Sequence, residues 1–403
     1  MSKSTKVYDD ATTIHLPRSE IDDETYALTV EMAKSPVFNH IRLMPDCHSC
    51  SYCCVGMTSI IENKVIPQIV GGDIGCGISC INLNKVLKEK HYGKIDNAIK
   101  SMIPMGERNH QVPITTPAIM NSIYTACNET LEKLKRAFPT YPFVDFQYNE
   151  NYYNSMISRA RSNVSSNNYL KSMGTLGGGN HYIEINKEEN GNCHLTVHCG
   201  SRHMGQAICN YHQEKIRRNK DYDKKHFLLN YLENDELVEY LIDMVFAQEF
   251  ASMNRTMIMY MICNELGCDF SRDKAIDTVH NYIDFDRMIL RKGAISAEEG
   301  QLCIISLNMR DGILICRGKG NPDWNYSSAH GCGRLMSRKH ARMSFTMKQY
   351  RDEMKDVYSS CVCKDTLDEI PNAYKDPNLI TSMIGDSVDI IKHLVPIINI
   401  KGY

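Results

Sequence analysis

The stretch HYIEINKEENGNCHLTVHCGSR, residues 181–202, decides how this chain is read. Tyr182 to Ile185 and His194 to Val197 are strand-like runs, and Asn190 and Gly191 between them are turn formers, so the spacing predicts an antiparallel hairpin. With the centre near Glu189 and Asn190, the ladder sets His181 opposite about His198, two imidazoles within reach of a single ion. Side chains alternate faces along a strand, so a slip of one residue would break that pairing.

Outward from the hairpin, glycines gather in short loops between β-like runs: GGDIGCGI (71–78), GTLGGGN (174–180) and HGCG (330–333). Such loops let backbone approach a ligand closely. The first offers a carboxylate, Asp73, and a thiol, Cys76; His280 in TVHNYIDF follows β-branched residues at an apparent strand end. Oxygen, sulfur and nitrogen donors together suit Mn²⁺, Zn²⁺ or Fe²⁺ better than Mg²⁺. Five such side chains exceed one tetrahedral zinc site and fit two ions sharing a thiolate, an arrangement suited to phosphoryl chemistry. In SSAHGCGRLMSRKHAR (327–342), His330 stands before two glycines as a candidate nucleophile. Arg334, Arg338 and Arg342 follow at intervals of four, one phosphate-binding face if a helix covers all three.

The chain has 403 residues, 42% hydrophobic and 23% charged, ordinary globular values that exclude a largely disordered or fibrous protein. Its length calls for one large or two fused α/β layers, and no linker or repeat marks an internal boundary, so one domain over 1–403 is expected. A formal charge of −2 means that any nucleic acid is held by a local patch. Leu237, Tyr240, Leu241, Met244 and Val245 predict a helix over Asp235 to Leu266, capped by Asn234 and ended by Gly267, with the Met-rich MIMYMIC as core. No apolar run of 18 residues occurs and the start, MSKSTKVYDDATTIH, lacks a signal-peptide core, so a cytoplasmic protein without a membrane partner is expected. The 17 cysteines, an odd number, are expected to be mainly reduced packing thiols. Cys47, Cys50 and Cys53 stand apart as a CxxCxxC run beside Asp46 and His48, read as packing first, then as a redox-sensitive loop, and least as an iron–sulfur ligand series.

Taken in order, MPDCH, GGDIGCG, GTLGGGNHYIE, HCGSR, HNY, RKGA, HGCGR with MSR, AYKD and the terminal KG resemble the RtcB family of RNA ligases along nearly the whole chain. The resemblance implies a mixed α/β fold of packed sheets surrounded by helices. It implies an enzyme that uses GTP and Mn²⁺, two ions, to join RNA ends bearing a 2′,3′-cyclic phosphate or 3′-phosphate to a 5′-hydroxyl, in tRNA splicing or RNA repair, with an archease-type activator as a possible partner. By match of position, Asp73, Cys76, His181, His198 and His280 are metal ligands with Cys76 as the bridge, and His330 is the histidine that becomes guanylylated. Asn180 meets GMP, Glu184 and Lys401 read guanine, Tyr374 stacks on the base, and Asp46, Arg202, Lys292, Arg334 and Arg338 meet RNA phosphates or assist at the ends. Three departures stand out: SCSYCC after MPDCH, SLNMRDG (306–312) in place of a PGSMG loop, and Cys332 where alanine is usual. Two alternatives to ligation stay open on the sequence, an RNA end-healing phosphoesterase and a noncatalytic RNA-binding member.

Overall fold

The computed structural model describes residues 4–160 and 166–403; the first three residues of the stretch read as leaderless lie outside it. Two sheets organise the molecule. A seven-stranded sheet runs in the order Ile276–Val279, Gly77–Asn82, Cys193–Cys199, Tyr182–Lys187, Val388–Lys401, Ile313–Gly318, Leu302–Ser306. A six-stranded sheet runs Thr5–Val7, Asp9–Ile14, Asn39–Ser49, Cys54–Ile60, Ile289–Lys292, Asn281–Asp284. The fold is mixed α/β, as expected. The chain passes directly from the first sheet to the second at His280, which separates strand Ile276–Val279 from strand Asn281–Asp284.

The predicted hairpin forms, with strands Tyr182–Lys187 and Cys193–Cys199, but its centre falls at Asn190, so His198 pairs with Tyr182 rather than with His181. The slip does not separate the imidazoles. His181 lies just before the strand, where alternation no longer dictates its direction, and the His181 and His198 rings sit 5.2 Å apart between centroids.

The long helix spans Asn234–Glu265. Asn234 makes no cap; it is the first helical residue, at φ 53°, and Asp235 and Glu236 complement the helix dipole in the first turn instead. Gly267, at φ 62°, supplies the left-handed termination expected of it. The five periodic residues are all buried, and the helix joins two cores: Leu237 to Phe250 pack with the helices of one, Ile258 to Cys263 under the seven-stranded sheet in the other. Among the described residues no helix is long and apolar enough to cross a membrane.

One buried cation ties this helix to the seven-stranded sheet. Arg255 is fully buried; its guanidinium donates to the carbonyls of Gly75 at 2.8 Å and Cys199 at 2.9 Å and to both carboxylate oxygens of Asp277 at 2.8 and 2.9 Å. Asp277 is partly exposed and also accepts from Ser79 and Ser252, so removing Arg255 costs chiefly through the two buried carbonyls left without a donor, about 1–3 kcal/mol each. Arg255→Ala is therefore expected to lower the urea midpoint of unfolding sharply, and an unchanged midpoint would show that these bonds carry no such weight.

Candidate metal and nucleotide site

Three donors converge because of register. Strand Gly77–Asn82 pairs Val279 with Gly77 and His198 with Ile78, so Cys76, one residue before the strand, is level with His280, and His198 lies two positions along on the same face. The amide of His280 donates to the Cys76 carbonyl at 2.9 Å, extending that pairing. Cys76 Sγ lies 3.3 Å from His198 Nε2, and the Nε2 atoms of His198 and His280 face each other at 3.0 Å. A second group shares the same thiol: His181 Nε2 is 3.4 Å from Cys76 Sγ and 3.0 Å from Asp73 Oδ2, its Nδ1 bonded to the Leu176 carbonyl at 2.9 Å. That carbonyl fixes the tautomer, leaving Nε2 for a ligand. Gly200 of HCGSR is required here, since a Cβ would collide with the Asp73 carboxylate.

These five side chains form two donor groups, Cys76 with His198 and His280, and Asp73 with Cys76 and His181. Burial keeps His198 and His280 neutral, holding both well below the ordinary imidazole range. Burial, with the Asp73 charge, pushes the Cys76 thiol up to about 12, so as a ligand it would lose its proton to the ion. Burial pushes the Asp73 carboxyl upward, yet His181 holds it well below the usual range. Each neutral imidazole offers a lone pair at Nε2 when its proton sits on Nδ1, and these nitrogens with the buried thiol and the half-buried Asp73 carboxylate are donors that fit transition-metal ions.

His330 follows the short strand Ser327–Ala329 and packs on His280, ring centroids 4.8 Å apart. Its Nδ1 meets Asp46 Oδ2 at 2.6 Å, and the same oxygen accepts the amides of His330 and Gly331, each at 3.1 Å. Asp46 is fully buried. Off the cavity lining, it orients the imidazole rather than offering an oxygen to the cavity. Gly333, at φ 72°, lets the loop close over Asp46, whose carbonyl a Cβ would strike.

His330, Asp73, His198 and His280 open on one cavity of about 310 Å³. Asn180, Glu184, Tyr374, Lys401, Lys292, Arg334 and Arg338 line it too. Glu184 takes hydrogen bonds from Asn186 at 2.8 Å and Asn399 at 2.7 Å; burial raises its carboxyl to about 7 against those bonds and the Lys401 charge. Lys401 is buried near the chain's end, its Nζ 2.6 Å from Glu369. Tyr374 donates to Glu369 at 2.9 Å and carries the Arg334 guanidinium 5.1 Å from its ring centroid. Lys292 donates to the Val70 carbonyl at 3.0 Å.

The arginines differ from expectation. The helix starts only at Arg338, so Arg334 lies outside it. All three are engaged by one acidic pair: Arg334 with Glu369 at 3.3 Å, Arg338 with Asp368 and Glu369 at 2.6 and 2.5 Å, Arg342 with Asp368 at 2.9 Å. They form no free phosphate face. Arg202 is off the cavity, held by Thr175 Oγ1 at 3.1 Å and the Gly106 carbonyl at 2.7 Å. Glu369 was missed in the sequence; its only signal is an acidic pair shortly before AYKD. SLNMRDG does border the cavity through Ser306, Leu307, Asn308 and Met309, while Arg310 turns away to Asp311 and Glu353. Cys332 is buried among apolar neighbours. Cys47 and Cys53 are buried and Cys50 is exposed, and the three form no ligand group among the described residues, which argues against a cluster.

Paired donor groups around a shared thiol, beside a histidine oriented by a carboxylate, define a class of site with the donor set to hold metal ions next to a reactive imidazole. The family model described as tRNA-splicing ligase RtcB matches residues 29–402, and the chain belongs to the RtcB family. It is 28% identical to the RNA-splicing ligase RtcB of Escherichia coli (strain K12), over 93% of each chain. It is 24% identical to the tRNA-splicing ligase RtcB of Nanoarchaeum equitans, covering 91% of this chain and 89% of that one. Against RNA-splicing ligase RtcB homolog 1 of Entamoeba histolytica the identity is 25%, over 93% and 83%.

Two outcomes follow. Cys76→Ser, which replaces the thiol common to both donor groups with a poorly ligating hydroxyl, is expected to take up less of an added divalent transition-metal ion than wild type, and equal uptake by the two would reject the shared-thiol assignment. Burial raises the Glu369 carboxyl, but Lys401, Arg338 and Arg334 bring it from 4.5 down to about 2. A depressed pKa contributes stability above the unfolded value that is lost as the pH falls through the folded one. Glu369→Gln should accordingly flatten the acid limb of the unfolding midpoint between about pH 4.5 and 2, seen by circular dichroism, and an unaltered limb would deny Glu369 this role.

Proposed function

We propose that the chain is a GTP- and Mn²⁺-dependent RNA ligase, one catalytic unit over 1–403, acting in the cytoplasm on RNA with 3′-phosphate or 2′,3′-cyclic phosphate and 5′-hydroxyl ends, in tRNA splicing or RNA repair. The carrying observation is His330: Asp46 holds Nδ1 at 2.6 Å, so the proton resides there and the Nε2 lone pair is left for attack. The cysteines, all free, suit a reducing compartment.

Nε2 of His330 attacks the α-phosphorus of GTP; a P–N bond forms, the bond to the β-phosphate oxygen breaks and pyrophosphate leaves. Asp46, on the far nitrogen, offsets the positive charge that the imidazole then carries. An oxygen of the RNA 3′-phosphate next attacks that phosphorus, and the P–N electron pair returns to His330. The 5′-hydroxyl attacks the activated 3′-phosphorus, gives up its proton, and expels GMP. A cyclic end is first opened by water to a 3′-phosphate. Mn²⁺ held by Asp73, Cys76, His181, His198 and His280 would neutralise phosphate charge and acidify the attacking water or hydroxyl. Glu184 and Lys401 present an acceptor and a donor to guanine, Tyr374 gives a ring to its face, and Asn180 meets the nucleotide. Lys292, Arg334, Arg338 and, outside the cavity, Arg202 are the cations for the RNA, with an archease-type protein as activator.

The test is incubation with [α-³²P]GTP and Mn²⁺. Covalent label is expected on wild type and none on His330→Ala, whose metal content stays near normal because His330 is not a ligand. Persistent labelling of the variant would sink the assignment. A phosphoesterase would open cyclic ends without GTP, and a noncatalytic binder would take no label.

A further inference from the structure

The departure SCSYCC has a geometry that the ligase reading does not use. Strand Asn39–Ser49 turns into strand Cys54–Ile60, with Ser49 paired to Cys54, so residues 50–53 are the hairpin tip. Cys50 and Cys53 close that tip: the Cys50 amide donates to the Cys53 carbonyl at 2.9 Å and the two sulfurs lie 3.6 Å apart. Of the 17 cysteines Cys50 alone is exposed, while Cys53 lies buried beneath it. Cys50 opens on a groove that shares His48, Arg334 and Arg338 with the central cavity. The other end of the hairpin is fixed to the site: Asp46 holds His330, His48 Nδ1 meets the Asp46 carbonyl at 3.0 Å, and Lys375 donates to the Cys47 carbonyl at 2.6 Å.

We propose that Cys50 and Cys53 are a redox-active dithiol, a modification site for peroxides, whose closure shifts the hairpin that carries Asp46 and His48. The sulfurs need move from 3.6 Å to about 2 Å, a displacement that a four-residue tip accommodates and that pulls on its two strands. In the first step the Cys50 sulfur attacks the peroxide O–O bond, giving a sulfenic acid and water. Cys53 then attacks that sulfur, the S–S bond forms, and the hydroxide released leaves with the Cys53 proton as a second water; two thiols are oxidised and one peroxide is reduced. The hydrogen bond with Cys53, helped by backbone amides and the Lys292 charge, holds the Cys50 thiol down to about 5 against burial, so the exposed sulfur is the nucleophile. Cys53, by contrast, is pushed well above the thiol range by that same bond and by burial. It is the resolving partner. Cys76 is fully buried, whereas Cys50 faces solvent.

The consequence for activity rests on the proposed ligase function; the disulfide itself does not. The full chain, loaded with Mn²⁺, is treated with a small molar excess of hydrogen peroxide, and thiols are then alkylated and mapped by mass spectrometry while [α-³²P]GTP labelling is followed. The expected result is a loss of two hydrogens from the peptide spanning Cys47 to Cys54 ahead of any other, with labelling slowed at least tenfold and restored by dithiothreitol. Cys50→Ser, at an exposed position, should form no such disulfide and keep its labelling within about twofold through the treatment. The proposal is overturned if Cys50 and Cys53 stay reduced while other cysteines oxidise, or if Cys50→Ser loses labelling as fast as wild type. Failure of untreated protein to take label counts against the ligase reading, and the mass shift still decides the dithiol.

Discussion

The site depends on a charge that never reaches it. Arg255 projects from the middle of a long helix that is apolar on nearly all sides and spends its donors on Gly75, Cys199 and Asp277. Gly75 precedes Cys76, Cys199 follows His198, and Asp277 lies on the strand that leads to His280. One guanidinium thus sets the spacing of three backbone segments, each carrying one donor of the group around Cys76. A rigid fork does this better than apolar packing, because hydrogen-bond directions fix position to a few tenths of an ångström where dispersion contacts tolerate sliding. The arrangement is costly to build, since burying the guanidinium forfeits its hydration, and four hydrogen bonds offset that cost.

A second group of charges is assembled around Glu369. Lys401, Arg334 and Arg338 all point at this one buried carboxylate, and Tyr374 donates to it. Without it, three cations would face each other across a small cavity at a severe repulsive cost. With it, Lys401 and Tyr374 stand at the cavity wall already oriented, although Lys401 comes from the last turn of chain. That end does not fray, because Lys401 is the final residue of a strand in the seven-stranded sheet and Gly402 packs so tightly on the Gly177 carbonyl that a Cβ has no room. The arginines have a corresponding constraint: to bind phosphate they exchange a carboxylate for it, so the net gain per contact is the difference between two anions rather than the full charge-assisted bond.

Legibility in the sequence follows the range of the interaction involved. The hairpin, the long helix and the residues of the two donor groups were readable because their signals are local: periodicity, turn formers, and donor residues among glycines. The family motifs carried Asp73, Cys76, His181, His198, His280 and His330 together. What stayed hidden is set by pairings distant in sequence. Asp46 and His330 are 284 residues apart, Arg338 and Glu369 31, Arg255 and Gly75 180. Nothing local distinguishes a carboxylate that will lie under an imidazole from one that faces solvent, so Asp46 was grouped with the phosphate contacts. The hairpin register was misplaced by one residue for a related reason: Asn190 and Gly191 announce a turn without fixing its centre. Asn234 shows the same limit at a helix start, where a residue with capping chemistry takes the first helical position instead.

His280 shows why the donor groups and His330 meet at all. It is the single residue between strands of two different sheets, and its carbonyl accepts the amide of Gly293 at 2.7 Å, next to Lys292 on the six-stranded sheet. Its amide is bonded to Cys76, at the head of a strand in the seven-stranded sheet, and its ring packs on His330. Asp46 reaches His330 from the six-stranded side, whereas His198 comes from the seven-stranded side. His330 itself follows a strand of a small two-stranded sheet, Ala294–Ser296 with Ser327–Ala329, and its carbonyl accepts the Ser306 amide of the seven-stranded sheet at 2.9 Å, so both large sheets reach the imidazole. The hairpin that carries Asp46 ends in a tip where Tyr52 stacks on Phe227 at 4.1 Å, so the carboxylate that orients His330 is held from the six-stranded sheet while His198 is held from the seven-stranded one.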